Sequence, residues 1–163
     1  MQRLATSNTS IKAHSARNHS ESHVSFAFSE PAEVWRIEQI VRRVKTKIRD
    51  LGYPQSVMDL DIPLALTEAL ANAVIHGNHS NPDKQVFVSV SASTSLFRCS
   101  VADEGPGFDY SSCGDIEVPD DEPLTHGRGI YLIKTLMSEV SFNKDGNEID
   151  MTLRFPRVGA EVD

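Results

Sequence analysis

Glu68 and Asn72 stand four residues apart in the apolar run Glu68-Ala-Leu-Ala-Asn72-Ala-Val-Ile-His76-Gly77-Asn78. On a helix that spacing puts both side chains on nearly one face. An Asn carbonyl is a hard oxygen donor suited to Mg2+, which keeps several waters and takes the rest of its shell from phosphates. A carboxylate beside it can accept a proton from an attacking hydroxyl or water. Taken alone, the pair reads equally well as a satisfied Glu–Asn contact or as two groups facing a cleft. A second cluster, Asp103-Glu-Gly105-Pro-Gly107, follows a strand-like segment. There a carboxylate can accept from an exocyclic amine such as that of adenine, and the glycines admit a flat ligand close to the backbone. By itself it is a plain strand-end turn. His126-Gly127-Arg128-Gly129 opens a further helix, where free backbone N–H groups and the helix dipole favour a phosphate. Alone, it reads as a cap with a flexible joint. In this order the clusters supply a metal-and-proton pair, a base reader and a phosphate holder, which together describe an ATP site. A Walker A loop is absent, and Gly105-Pro-Gly107 lacks the third Gly of a Rossmann fingerprint.

These residues need elements to position them. His23-Val-Ser-Phe-Ala-Phe-Ser29 alternates apolar and polar residues, the pattern of a half-buried strand. Glu30 and Pro31 then open a helix, since Pro fits a first turn. Val34, Ile37, Ile40, Val41, Val44, Ile48 and Leu51 form its core stripe, and Gly52 ends it. After the Tyr53-Pro54 turn a second helix runs from about Val57 to His76, with Leu60, Leu64, Leu70, Ala73 and Val74 for burial. Gln85–Ala92 and Ser95–Asp103 read as strands around a tight Ser93-Thr94 turn. From Phe108 to Thr125 the chain is irregular and acidic, a loop long enough to serve as a lid. Gly127 to Glu139 reads as a helix with Ile130, Ile133, Leu136 and Met137 on one side. Val140–Lys144 and Asn147–Phe155 flank Asp145-Gly146, a strong hairpin signal. Two hairpins and helices on one face predict an α/β fold: a two-layer sandwich with a mixed, mainly antiparallel sheet. A doubly wound fold would need repeated βαβ units.

Composition sets the frame. At 163 residues, 39% hydrophobic and without an apolar run near the ~20 residues of a membrane span, the chain suits one soluble domain. Residues 1–22 form a polar tail with too few apolar groups to order itself, 23–156 the domain and 157–163 a C-terminal tail. The start lacks an apolar signal-peptide core, which predicts a cytoplasmic protein. Cys99 and Cys113 match neither CxxC nor zinc spacing and read as free thiols. His14, His19 and His23 read as tail residues, not as a metal site. The net charge is −7; Arg3, Lys12 and Arg17 against Glu21 give the first 22 residues +2, leaving −9 on the body. So acidic a body excludes direct nucleic-acid or anionic-membrane binding as a leading role. The basic stretch Arg36, Arg42, Arg43, Lys45, Lys47 and Arg49 reads as the solvated face of the first helix.

With these residues on the page, the three clusters resemble the N, G1 and G2 boxes of the GHKL ATPase superfamily, the Bergerat-type ATP-binding fold. More closely, Asn72-Ala-Val-Ile-His-Gly-Asn78, Asp103-Glu-Gly-Pro-Gly-Phe-Asp109 and His126-Gly-Arg-Gly-Ile-Tyr-Leu-Ile133, with the later Asp145-Gly-Asn147-Glu, resemble the anti-sigma-factor serine-protein kinases (RsbW-like) of bacterial partner-switching systems. The resemblance covers about residues 23–156. It implies that Glu68 is the catalytic base and that Asn72 coordinates Mg2+. It implies further that Asp103 binds adenine in a pocket shaped by Gly105 and Gly107, and that the amides around Gly127 and Gly129 hold the phosphates with Arg128 beside them. His76 and Asn78 match the first box, which sets His76 with the nucleotide-binding group. The implied activity is an ATP- and Mg2+-dependent serine-protein kinase that phosphorylates a STAS-domain anti-anti-sigma protein and sequesters a sigma factor or analogous target, as a homodimer formed through the first strand or helix. The alternative is an ATP-gated binding switch that transfers no phosphate.

Overall fold

The computed structural model describes residues 22–109 and 128–155. The expected polar tail up to residue 21, the acidic loop from residue 110 on, with Cys113, then His126 and Gly127, and the C-terminal stretch 156–163 lie outside the described residues.

Strand β1 (His23–Pro31) leads to helix α1 (Arg36–Ile48), followed by a second helical course, Val57–Gly77, whose regular part is α2 (Ile62–Ala71). Strands β2 (Gln85–Ser93) and β3 (Leu96–Asp103) form a hairpin; helix α3 (Arg128–Leu136), β4 (Glu139–Phe142) and β5 (Glu148–Arg154) complete the described chain. The sheet order is β1-β2-β3-β5-β4, with every neighbouring pair antiparallel. The two-layer α/β fold stands, and the sheet expected to be mixed is antiparallel throughout its described strands.

One sheet face is dry. Val86, Val88, Val90 and Ala92 of β2 point into the core with Phe97, Cys99 and Val101 of β3 and Ile149 and Met151 of β5. The register puts Val88 opposite Val101, Val90 opposite Cys99 and Cys99 opposite Met151, so side chains meet directly across neighbouring strands. Helix α1 adds Ile37, Ile40, Val41, Val44 and Ile48, and α2 adds Ile62, Leu66, Ala69 and Leu70. The other face is open, with short side chains such as Ala27, Ser29 and Ser89 around a half-exposed Phe87.

Several boundaries differ from the sequence reading. Pro31 ends β1, opposite Gln85, and does not open the helix, which starts at Arg36. Pro is tolerated there because β1 is an edge strand and its missing N–H costs no ladder bond. Val34 therefore falls before α1 and is 52% exposed, outside the stripe. Leu60, expected in the core, is 56% exposed. It lies in a π-helical turn, Val57–Asp61, where Ile62 N–H reaches back to Val57 O, and the wider turn rotates the side chains away from the 3.6-residue pattern.

Candidate functional site

Helix α2 is the spine of the site. Glu68 and Asn72 are both partly buried, and Gly129, at the start of α3, shows that they share a face. A β-carbon on Gly129 would stand 2.6 Å from Glu68 Oε2 and 3.8 Å from Asn72 Nδ2. The absence of a side chain at that position lets the first turn of α3 lie against both groups. Two of the expected clusters thus meet, with a carboxylate and an amide facing the N-terminal turn of a helix. Arg128, one residue earlier, is exposed; Gly127 lies outside the described residues.

The Asp103 cluster joins at the other end of the same helical course. Residues Asn72–Gly77 form a π-helical segment in which Asn78 N–H bonds Ala73 O at 2.8 Å. The wider turn brings Gly77 against Asp103, whose carboxylate would collide with any β-carbon on Gly77. Gly105 packs equally closely on the Gly77 carbonyl, and its N–H donates to Asp103 Oδ1 at 2.7 Å. Burial holds the Asp103 carboxyl above the ordinary carboxylate range, opposed by the Gly105 hydrogen bond and the nearby charge of Lys84. His76, at the outer end of the π segment, is exposed, and the next helical turns give way to left-handed His79 and Ser80, at φ 55° and 53°.

Gly107 places the chain beyond Asp103 against the β4–β5 turn. Its φ is +73°, and a β-carbon there would strike the Asp145 carbonyl. Phe108 follows, edge-on to Phe142 at 5.4 Å between ring centres. The backbone of Asp103 is fixed from the same side: its N–H donates to Asn147 O at 2.9 Å and its carbonyl accepts from Asn147 Nδ2 at 3.2 Å. Asn143 closes that turn by accepting from the N–H groups of Asn147 and Glu148 at 3.0 and 3.2 Å.

The supporting residues Asn78, Asn143 and Asn147 were not assigned roles from the sequence. Asn143-Lys-Asp-Gly-Asn147 carries a turn signal and Asp145-Gly-Asn147-Glu is part of the family resemblance, but neither marks Asn147 as a neighbour of Asp103. Chemically, the arrangement offers a partly buried carboxylate at a glycine-lined floor, a helix start, and an amide beside a second carboxylate. Asn72 with water and phosphate oxygens makes a donor set that fits Mg2+, and Gly129 lets the first turn of α3 approach it.

Comparison with known proteins bears on the same region. The profile described as histidine kinase-like ATPase domain matches residues 13–153. A serine-protein kinase RsbW from Bacillus subtilis is 31% identical over 113 residues, covering 63% of this chain and 68% of the relative. An RsbW from Listeria innocua is 30% identical over 99 residues, 56% of this chain and 63% of the relative. An anti-sigma F factor from Geobacillus thermodenitrificans is 28% identical over 92 residues, 54% and 62% of the two chains. Among solved structures, the RsbU and RsbW domains of a Mycobacterium tuberculosis protein superpose with a TM-score of 0.57 at 18% identity, covering 80% of this chain and 32% of that one, a likeness of fold.

Proposed function

The chain belongs to the histidine kinase-like ATPase family, in its branch of RsbW-type serine-protein kinases, and on that premise we propose that it is an ATP- and Mg2+-dependent protein-serine kinase of a partner-switching system. Its acceptor is a Ser on a STAS-domain anti-anti-sigma protein, and its second partner is a sigma factor or analogous target that it sequesters; it works as a cytoplasmic homodimer. The observation that carries the reading is the meeting of Glu68 and Asn72 at Gly129, which sets a proton acceptor and a metal-binding amide beside a helix start that can receive phosphates.

In this reading Asp103 accepts from the adenine amine on the floor made by Gly77 and Gly105, with Gly107 setting the chain beyond against the Asp145 carbonyl. The first-turn amides of α3 hold the phosphate chain, with Arg128 at its exposed rim. Asn72 would hold Mg2+, which would supply charge neutralisation at the phosphates. Glu68 accepts the proton of the incoming Ser hydroxyl as its oxygen bonds to the γ-phosphorus and the bond to the β-phosphate oxygen breaks. Phosphoryl transfer needs mainly positioning and charge neutralisation, which these groups are placed to supply.

The test is incubation of the full chain with γ-labelled ATP, Mg2+ and STAS-domain proteins from the same genome. Label on a STAS Ser, lost in Glu68→Gln while ATP binding persists, is the expected result. Stable ATP-dependent partner binding without label transfer would replace the kinase with an ATP-gated switch.

A further inference from the structure

We propose that Asn78 is the positioning residue of base recognition: it locks the Asp103–Glu104 turn to the end of the α2 helical course and so sets the place at which Asp103 meets a purine amine. The inference rests on the nucleotide reading of Asp103 above.

Asn78 is 0% exposed, and it and Thr152 are the polar side chains among the described residues that are buried. An Asn that merely ends a helix beside a Gly would normally face water. Here every polar group of the residue is engaged. Its N–H bonds Ala73 O at 2.8 Å and its carbonyl accepts from Asn81 N–H at 3.2 Å. The side-chain Nδ2 donates to Gln85 O at 2.8 Å, and Oδ1 accepts from Glu104 N–H at 3.0 Å. A carbonyl can only accept and a backbone N–H can only donate, so the orientation of the amide is fixed by its partners.

The contacts close a ring. Gln85 N–H donates to Glu104 Oε2 at 2.5 Å, and Lys84 Nζ reaches Glu104 O at 3.3 Å. Glu104 is thus held at its N–H, its carbonyl and its carboxylate, and the first of these holds is Asn78. On one side of this anchored residue lies Asp103; on one side of Asn78 lies Gly77, against which the Asp103 carboxylate packs. The bond from Asn78 to Glu104 therefore spans the same gap as the Gly77–Asp103 contact, one residue further along each chain. Loss of it removes the hydrogen bond between this turn and the helical course and leaves the turn tied to Lys84, Gln85 and Asn147, so that Asp103 follows those residues and not Gly77; an acceptor displaced by a fraction of an ångström from its donor loses much of its selectivity. Asn78 itself need not touch the nucleotide.

The test uses the full chain with Mg2+ and calorimetric titration of ATP and of purine riboside 5′-triphosphate, which lacks the 6-amino group. Wild type is expected to prefer ATP by about 10- to 100-fold, the range of one hydrogen bond to a charged acceptor. Asn78→Ala is expected to bring that ratio below about 3-fold. A purely structural role would weaken both nucleotides by one factor and leave the ratio intact, and that result overturns the proposal. Wild type that binds the two alike overturns the Asp103 assignment itself, and this proposal with it. Should Asn78→Ala not fold, hydrogen exchange on the wild type decides: a Glu104 amide protected before nucleotide is added supports the lock, and one exchanging like an open turn refutes it.

Discussion

The Asp103 carboxylate rests directly on the Cα of Gly77, in space that a β-carbon would occupy. The contact joins the end of the helix carrying Asn72 to the end of β3, and it exists only because residue 77 has no side chain. Gly77→Ala must push the carboxylate off this floor. The expected outcome is ATP affinity lowered about 10- to 100-fold, with a stability loss of roughly 1–3 kcal/mol from the added methyl. Titration calorimetry beside chemical denaturation checks both, and unchanged ATP affinity would show that Asp103 does not read the base.

Burial raises the Asp103 carboxyl above its ordinary range, so the folded state resists its ionisation more than the unfolded chain does. The sign follows: this group costs stability as pH rises through its folded pKa, and the cost fades as pH falls back through it. Asp103→Asn removes the charge. At neutral pH the variant is expected to melt at or above the wild-type temperature, with the gap closing under acid conditions. Its ATP affinity drops even so, because a neutral amide is the weaker acceptor for an amine. Thermal scans across the carboxylate range provide the check, and a variant less stable than wild type by the same margin at every pH would contradict the assignment.

The parts of this molecule that follow a simple period were legible in the sequence. The α1 stripe from Ile37 to Leu51, the β2–β3 hairpin and the Asp145-Gly146 turn lie where alternation, helical spacing and turn chemistry put them. The departures have local causes. Two π-helical turns interrupt the spacing rule at Leu60 and again at Asn72–Gly77, and neither has a side-chain signature. The basic residues of α1 were read as a solvated face, yet Arg36 and Arg43 bond Glu30, and Arg43 and Lys47 lie over Phe28 and Phe26. Which strand a helix lies beside is a tertiary fact. In the candidate site the chemical groups were visible as residue types, but the asparagines that hold them are tied through bonds to residues as many as 44 positions away.

Gly129 stands beside Glu68 in the same steric sense that Gly77 stands beside Asp103. A methyl at 129 would lie 2.6 Å from Glu68 Oε2, so Gly129→Ala must turn the carboxylate away or shift α3. If Glu68 is the proton acceptor, the rate of Ser phosphorylation at saturating ATP falls by about 100-fold, the scale of a 1 Å misplacement. Quench-flow or gel assays with the STAS substrate give that number. A variant with wild-type turnover would remove Glu68 from the reaction.

The α1 face makes a prediction about stability alone. Arg43 places its guanidinium 3.9 Å from the centre of the Phe28 ring, an edge-strand aromatic that is only partly buried, and 3.2 Å from Glu30 Oε1. A cation–π contact at such a site contributes about 0.5–1 kcal/mol, and the half-exposed ion pair contributes at most about as much after solvent screening. Arg42, on the same helix, pairs among the described residues with Glu38 one turn away, and both side chains are largely exposed. Arg43→Ala is therefore expected to lower the unfolding free energy by about 1 kcal/mol, and Arg42→Ala by less than about 0.5 kcal/mol. Urea denaturation resolves the difference. Equal losses would mean that the packing of Arg43 against Phe28 contributes nothing beyond an ordinary surface charge, and that the basic stripe is a solvated face after all.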